Sequence, residues 1–192
     1  KWVGKCSTCG EWNSFVEEVE VSTKGNRVAS IVGASSSRPL KLSEVKANAD
    51  ERMDTGDGEL NRVLGGGIVP GSMILLGGEP GIGKSTLILQ TVLALKGQKI
   101  LYVSGEESAR QLKLRAERIG GNAPDCYIVC ETSLEDIFVH IRNVAPDIVV
   151  IDSIQTIATS AMESSPGSVG QVRECAASLL KFAKQTNTPV LL

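Results

Sequence analysis

No run of apolar residues in this chain approaches the ~20 that a membrane span needs, so the sequence points away from a membrane protein. The opening residues, "KWVGKCSTCG", lack the apolar core of a signal peptide. A charge of one sign is missing too. Twenty Lys and Arg stand against 22 Asp and Glu, a net charge of −2, so contact with nucleic acid has to be local rather than a property of the whole surface. Histidine occurs once, as His140, and without a partner it reads as a surface or packing residue. A disulfide framework is also lacking. Of the five cysteines, Cys6 and Cys9 form a CxxC pair, and Cys126, Cys130 and Cys175 are scattered through the apparent core as small hydrophobes. That usage fits a reducing, cytoplasmic setting. There is no internal repeat.

What is present is an ordinary globular composition, 42% hydrophobic and 22% charged over 192 residues, enough for one sizeable core and a small appendage. Both ends read as cut: the chain starts without Met and stops in "TPVLL", which reads as a strand entering a core. Three regions are expected. Residues 1–21 carry the cysteine pair, residues 22–50 are a Ser-, Ala- and Lys-rich linker without aromatics, and residues 51–192 form the core.

In that core, strand-like and helix-like runs alternate. The strands are "SMILLGG" (72–78), "KILYVSG" (99–105), "CYIVC" (126–130), "DIVVIDS" (147–153) and the final "PVLL". Between them lie helices over "KSTLILQTVLALK", "ESARQLKLRAERIG", "SLEDIFVHIRNV" and "SVGQVRECAASLLKFAKQ". Nearly continuous apolar strands alternating with helices predict an α/β fold, a parallel sheet covered on both faces. Ligands of such sheets bind beyond the carboxyl ends of the strands.

"GEPGIGKS" has the spacing G-x-x-x-x-G-K-[ST] of a phosphate loop, with Gly78, Gly83, Lys84 and Ser85 at the fixed positions. Glycine allows the positive φ angles that turn backbone N–H groups inward, and the helix that follows adds its N-terminal partial charge. Lys84 would reach the β- and γ-phosphates of a nucleotide triphosphate and Ser85 would ligate Mg²⁺. The bland alternative is a glycine-rich turn without a ligand. A phosphate loop calls for a second carboxylate near the metal, and "IVVID" supplies Asp152 at the end of an apolar strand. Hydrolysis also needs a group to orient water. "YVSGEES" offers Glu106 and Glu107, which read equally well as an acidic helix start. Spacing alone leaves base and helix start open, and does not separate the two glutamates.

A strand ending in a glutamate directly after the phosphate-loop helix resembles the RecA/DnaB class of ATPases. More narrowly, "TGDGELNRVLGGGIVPGSMILLGGEPGIGKSTL", "YVSGEES", "VVIDSIQT" and "SSPGSVGQVRE" resemble the bacterial RadA (Sms) DNA-repair family, from Lys1 to Leu192. The resemblance implies a RecA-like P-loop core that hydrolyses ATP with Mg²⁺. It also implies a hexameric ring around single-stranded or branched DNA, driving branch migration alongside recombination proteins. By the same resemblance Gly78, Glu79, Pro80, Gly81, Ile82, Gly83, Lys84, Ser85 and Thr86 bind the nucleotide, Asp152 associates with Mg²⁺, and Glu106 is the catalytic glutamate, with Glu107 at the start of the next helix.

The family begins with a four-cysteine zinc site, so Cys6 and Cys9 would be two of the Zn²⁺ ligands, half of the tetrahedral set such a site needs. It also carries a Lys-Asn-Arg-Phe-Gly block and a protease-like domain beyond the end of this sequence. In RecA-like rings the segment after the aspartate strand faces the channel. Here that segment is 153–173, and Ser164, Ser165, Gly167, Ser168 and Arg173 would contact phosphates without reading bases. The alternatives are a small-molecule kinase, a clock-type relative and a scaffold that only binds ATP. No acceptor pocket or arginine-bearing lid shows between 104 and 170, Cys6 and Cys9 do not suit the clock-type proteins, and a scaffold needs no base.

Overall fold

The computed structural model describes residues 39, 41–44, 52–120 and 125–192. Cys6, Cys9 and most of the segment read as a linker lie outside the described residues. The strands are β1 (Met73–Ile74), β2 (Ile100–Ser104), β3 (Cys126–Cys130), β4 (Ile148–Asp152) and β5 (Val190–Leu191). Helix α1 (Gly58–Val63) precedes them, and α2 (Lys84–Ala94), α3 (Ala109–Arg118), α4 (Leu134–Val144) and α5 (Val169–Thr186) connect them. A 3₁₀ turn, Ile154–Thr156, follows β4 directly. All pairings are parallel, in the order β1-β5-β4-β2-β3.

The alternation predicted from sequence is therefore the fold, with two local differences. The first strand is Met73–Ile74, shorter than "SMILLGG" suggests, although its pairing to the last strand runs on to the Leu76 N–H, which donates to the Leu192 carbonyl at 2.9 Å, with Leu75 70% exposed between. The sheet is also not covered along its whole width: β3 is an edge strand whose Tyr127 and Ile128 are exposed. Cys130 on the same strand is exposed rather than a core residue, its thiol donating to the Glu107 carbonyl at 3.3 Å. Cys175 is buried as expected and Cys126 partly so.

Both sheet faces are packed at the centre. Leu101, Val103, Val149 and Ile151 point to one side, against Ile137, Phe138 and Ile141 of α4 and Leu179 and Phe182 of α5. Phe138 and Phe182 meet edge to face, ring centres 5.8 Å apart, an arrangement that contributes about 1 kcal/mol beyond the area buried. Ile100, Tyr102, Ile148 and Val150 point to the other side, against Ile88, Leu89 and Val92 of α2 and Leu112 of α3. The period of two along a strand makes this division, and it decides which residues near the strand ends share a face.

Most helix starts are closed by their own side chains. Asp57, Ser108, Ser133 and Ser168 cap α1, α3, α4 and α5 by accepting from backbone N–H groups one turn in. Helix α2 differs. Its cap is Gly83 at φ 101°, with no side chain to offer, so among the described residues the first N–H groups of α2 have no side-chain partner. An L-residue at that φ would be strained.

Candidate functional site

The carboxyl ends of the strands converge on one cleft of about 610 Å³, lined by the phosphate loop, by Lys84, Ser85 and Thr86, and by Glu106, Arg115, Asp152, Ser153 and Gln155. Register explains the meeting. Ser104, the last residue of β2, lies opposite Asp152, the last of β4, and the Gly105 N–H extends the ladder by one bond to the Asp152 carbonyl at 2.9 Å. Glu106 thus emerges just beyond the end of β4. Strand β5 sits between β1 and β4, which sets the loop after β1 across the cleft from Asp152.

Each predicted catalytic residue falls on this cleft. The Lys84 ammonium donates to the Gly78 and Glu79 carbonyls at 2.7 and 2.8 Å, tying the two ends of the loop together. The Ser85 hydroxyl donates to Asp152 Oδ1 at 3.0 Å, although the two residues belong to different elements far apart in sequence. Glu106 Oε1 accepts from the Ser153 hydroxyl at 2.7 Å. Glu107 points elsewhere and pairs with Arg115 of α3. Its backbone N–H meets Ser104 Oγ at 2.9 Å, which suits a residue at a helix start rather than a base. Of the predicted loop residues, Gly78, Pro80, Gly81, Gly83, Lys84, Ser85 and Thr86 line the cleft. Glu79 and Ile82 do not, and Ile82 is 71% exposed.

Two residues outside the cleft lining, passed over by sequence reasoning, support it from behind. Tyr102, fully buried in β2, donates its hydroxyl to Asp152 Oδ2 at 2.6 Å. Burial, and after it the Asp152 carboxylate, pushes the phenol above its ordinary range, so it stays a donor. A hydroxyl inside an apolar strand run carries no sequence signal that separates it from a core aromatic. Gly105 was also missed: a Cβ there would lie 1.8 Å from Thr156 Oγ1, so the turn carrying Glu106 is packed directly on the turn after Asp152.

The segment proposed to face DNA is built more firmly than its Gly- and Ser-rich composition suggests. Gln171, 2% exposed, accepts from the Thr159 N–H and donates to the carbonyls of Thr159, Met162 and Ser164. Glu135 of α4 accepts from the Thr159 hydroxyl and from both the N–H and hydroxyl of Ser160. Partial burial works to raise the Glu135 carboxyl, and these hydrogen bonds outweigh it, leaving the group below its usual value. Ser164, Ser165, Gly167 and Arg173 are exposed on this segment, whereas Ser168 is committed to capping α5.

Hard oxygen donors on Ser85 and Asp152, side by side at the cleft, fit Mg²⁺. Among the described residues, no group of three or more His, Cys, Asp or Glu is arranged to hold a metal by itself, and no helix is long and apolar enough to cross a membrane.

A phosphate loop opening an uncapped helix, a strand-end aspartate against its serine, and a glutamate after the neighbouring strand define a P-loop ATPase domain of the RecA-like α/β kind. A family model described as an AAA domain matches residues 36–192, and the chain belongs to that family. It is similar throughout to bacterial proteins named DNA repair protein RadA, bearing out the resemblance of its sequence blocks. The relative from Halalkalibacterium halodurans is 48% identical over 100% of this chain and 43% of its own length. That from Bacillus subtilis is 46% identical over 100% and 43%, and that from Streptococcus pyogenes serotype M1 is 52% identical over 97% and 41%. The chain thus spans less than half the length of these relatives.

Proposed function

We propose that the chain is the ATP-hydrolysing core of a DNA-dependent motor in recombinational DNA repair, working as a hexameric ring on single-stranded or branched DNA and driving branch migration. The relatives' name supports the repair setting. One observation supports coupling to DNA: Glu106 is hydrogen-bonded to Ser153, the first residue of the segment that would face the channel. The same contact could report the position of that segment to the hydrolytic site.

In this reading the loop and the N–H groups at the start of α2 hold the triphosphate, and Lys84 neutralises its terminal phosphates. Ser85 and Asp152 hold Mg²⁺, which when bound offsets charge on the phosphate oxygens. Glu106 orients or deprotonates the attacking water. Ser164, Ser165, Gly167 and Arg173 contact DNA phosphates. With one arginine in the segment, affinity would come from several subunits together. Cys6 and Cys9 would be ligands of a zinc site, residues 1–21 and 22–50 would be a zinc-finger stub and a linker ahead of the 51–192 core in the sequence, and the setting is cytoplasmic.

The deciding experiment is steady-state ATP hydrolysis by the intact protein with and without single-stranded DNA. Stimulation by DNA supports the motor. Hydrolysis indifferent to DNA would sink it.

A further inference from the structure

We infer that Tyr102 is a positioning residue that fixes the Asp152 carboxylate for a nucleotide–divalent cation complex. The inference rests on the reading of Asp152 as the cation-associated aspartate.

Tyr102 is 0% exposed and lies among Ile100, Val92, Leu112 and Val150. A hydroxyl in such surroundings costs free energy unless it is bonded, and phenylalanine would fill nearly the same space without that cost. The hydroxyl therefore needs a reason, and its one partner among the described residues is Asp152 Oδ2 at 2.6 Å. The other carboxylate oxygen, Oδ1, accepts from Ser85 at 3.0 Å. Two hydroxyls from separate elements, β2 and the start of α2, thus hold the two oxygens and set the plane of the carboxylate.

Register explains why an aromatic is used. Tyr102 lies opposite Val150 and Ser104 opposite Asp152, so Tyr102 and Asp152 are diagonal neighbours on one face of the sheet. Diagonal positions are about 7–8 Å apart between backbones, a span that a tyrosine hydroxyl bridges and a serine or threonine does not. Nothing else among the described residues bonds Oδ2. Without the phenol only the Ser85 bond to Oδ1 restrains the carboxylate about its last torsion, which is broad for Asp.

The test is Tyr102→Phe in the intact protein, with Mg²⁺ titrated against binding of a fluorescent ATP analogue and the same binding measured in EDTA. The Mg²⁺ midpoint is expected to rise about 10- to 100-fold, the effect of one hydrogen bond to a charged group. Affinity in EDTA and the thermal unfolding midpoint should change little. An equal loss in EDTA overturns the inference, because the role would then be packing. Asp152→Asn is measured in parallel. If it moves the Mg²⁺ midpoint and Tyr102→Phe does not, the inference alone fails. If Asp152→Asn leaves the midpoint unmoved, the cation reading of Asp152 fails and the inference falls with it.

Discussion

The Ser153 hydroxyl donates to Glu106 Oε1 at 2.7 Å, joining the residue after the strand-end aspartate to the proposed catalytic carboxylate. A carboxylate held by a neighbouring hydroxyl is oriented, but one of its lone pairs is also occupied. If water must displace Ser153, the bond holds back turnover until the following segment shifts. Ser153→Ala is then expected to raise DNA-independent hydrolysis by about 5-fold, the effect of one hydrogen bond near 1 kcal/mol, and to shrink the stimulation by DNA. Glu106→Gln should retain ATP binding and lose hydrolysis by about 10²- to 10⁴-fold. Single-turnover hydrolysis with each variant checks both.

Lys84 bridges the Gly78 and Glu79 carbonyls with its ammonium. Lys84→Ala removes both that tie and the cation proposed to meet the terminal phosphates. Charge-assisted bonds of this kind contribute about 1.5–3 kcal/mol, so ATP affinity should fall by roughly 10- to 100-fold. AMP, which lacks the terminal phosphates, should bind almost as before. Calorimetric titration of the two nucleotides separates these cases.

Gly105 has no room for a side chain, since an added Cβ would lie 1.8 Å from Thr156 Oγ1 and 2.6 Å from its Cβ. Gly105→Ala must push the Glu106 turn and the Ile154–Thr156 turn apart, costing about 1–3 kcal/mol. The urea midpoint should fall accordingly, and hydrolysis should fall further than stability because Glu106 and Ser153 separate. Adding Thr156→Gly is expected to restore part of both.

Glu135 carries the acid sensitivity of the 159–160 segment. Its carboxyl is held below the ordinary 4.5 by the Thr159 and Ser160 hydrogen bonds, against partial burial. A depressed carboxyl contributes stability that is full above its unfolded value and is lost as pH falls through the lower folded value. Exchange of the Ser160 amide should therefore accelerate as pH drops below about 4.5, beyond the intrinsic pH trend. Glu135→Gln should flatten that dependence.

Sequence periodicity carried most of the fold because the strands are short apolar runs and each helix opens at a polar cap or a glycine. The phosphate loop and Asp152 line the cleft where their spacing at strand ends puts them, whereas Glu106 was told from Glu107 by the family resemblance and not by spacing. What escaped depends on partners distant in sequence. Tyr102 sits in an apolar run and reads as core until β4 is placed beside β2. The exposure of Cys130 follows from β3 being an edge, which strand order decides and composition does not. Glutamine three residues after a serine cap appears twice, with opposite outcomes. Gln111 returns its side chain to the Ser108 N–H as a capping box, whereas Gln171 turns away from Ser168 toward Thr159.

That turn of Gln171 makes it the strut of the proposed DNA-facing segment. Four hydrogen bonds join its amide to backbone groups of Thr159, Met162 and Ser164. Gln171→Leu keeps most of the volume and removes every one of these partners. The Thr159 N–H and its neighbours must then find water or remain unpaired, and stability should fall by about 2–3 kcal/mol. Because the Glu106 contact begins at Ser153, before the strut, nucleotide affinity should stay close to that of the unmodified protein. Stimulation by DNA should drop, since a loosened segment no longer transmits its displacement toward Ser153. Measuring ATP affinity and DNA-stimulated hydrolysis on the same preparation separates the outcomes. A variant that loses stability but keeps full stimulation would show that the strut supports the fold and takes no part in coupling.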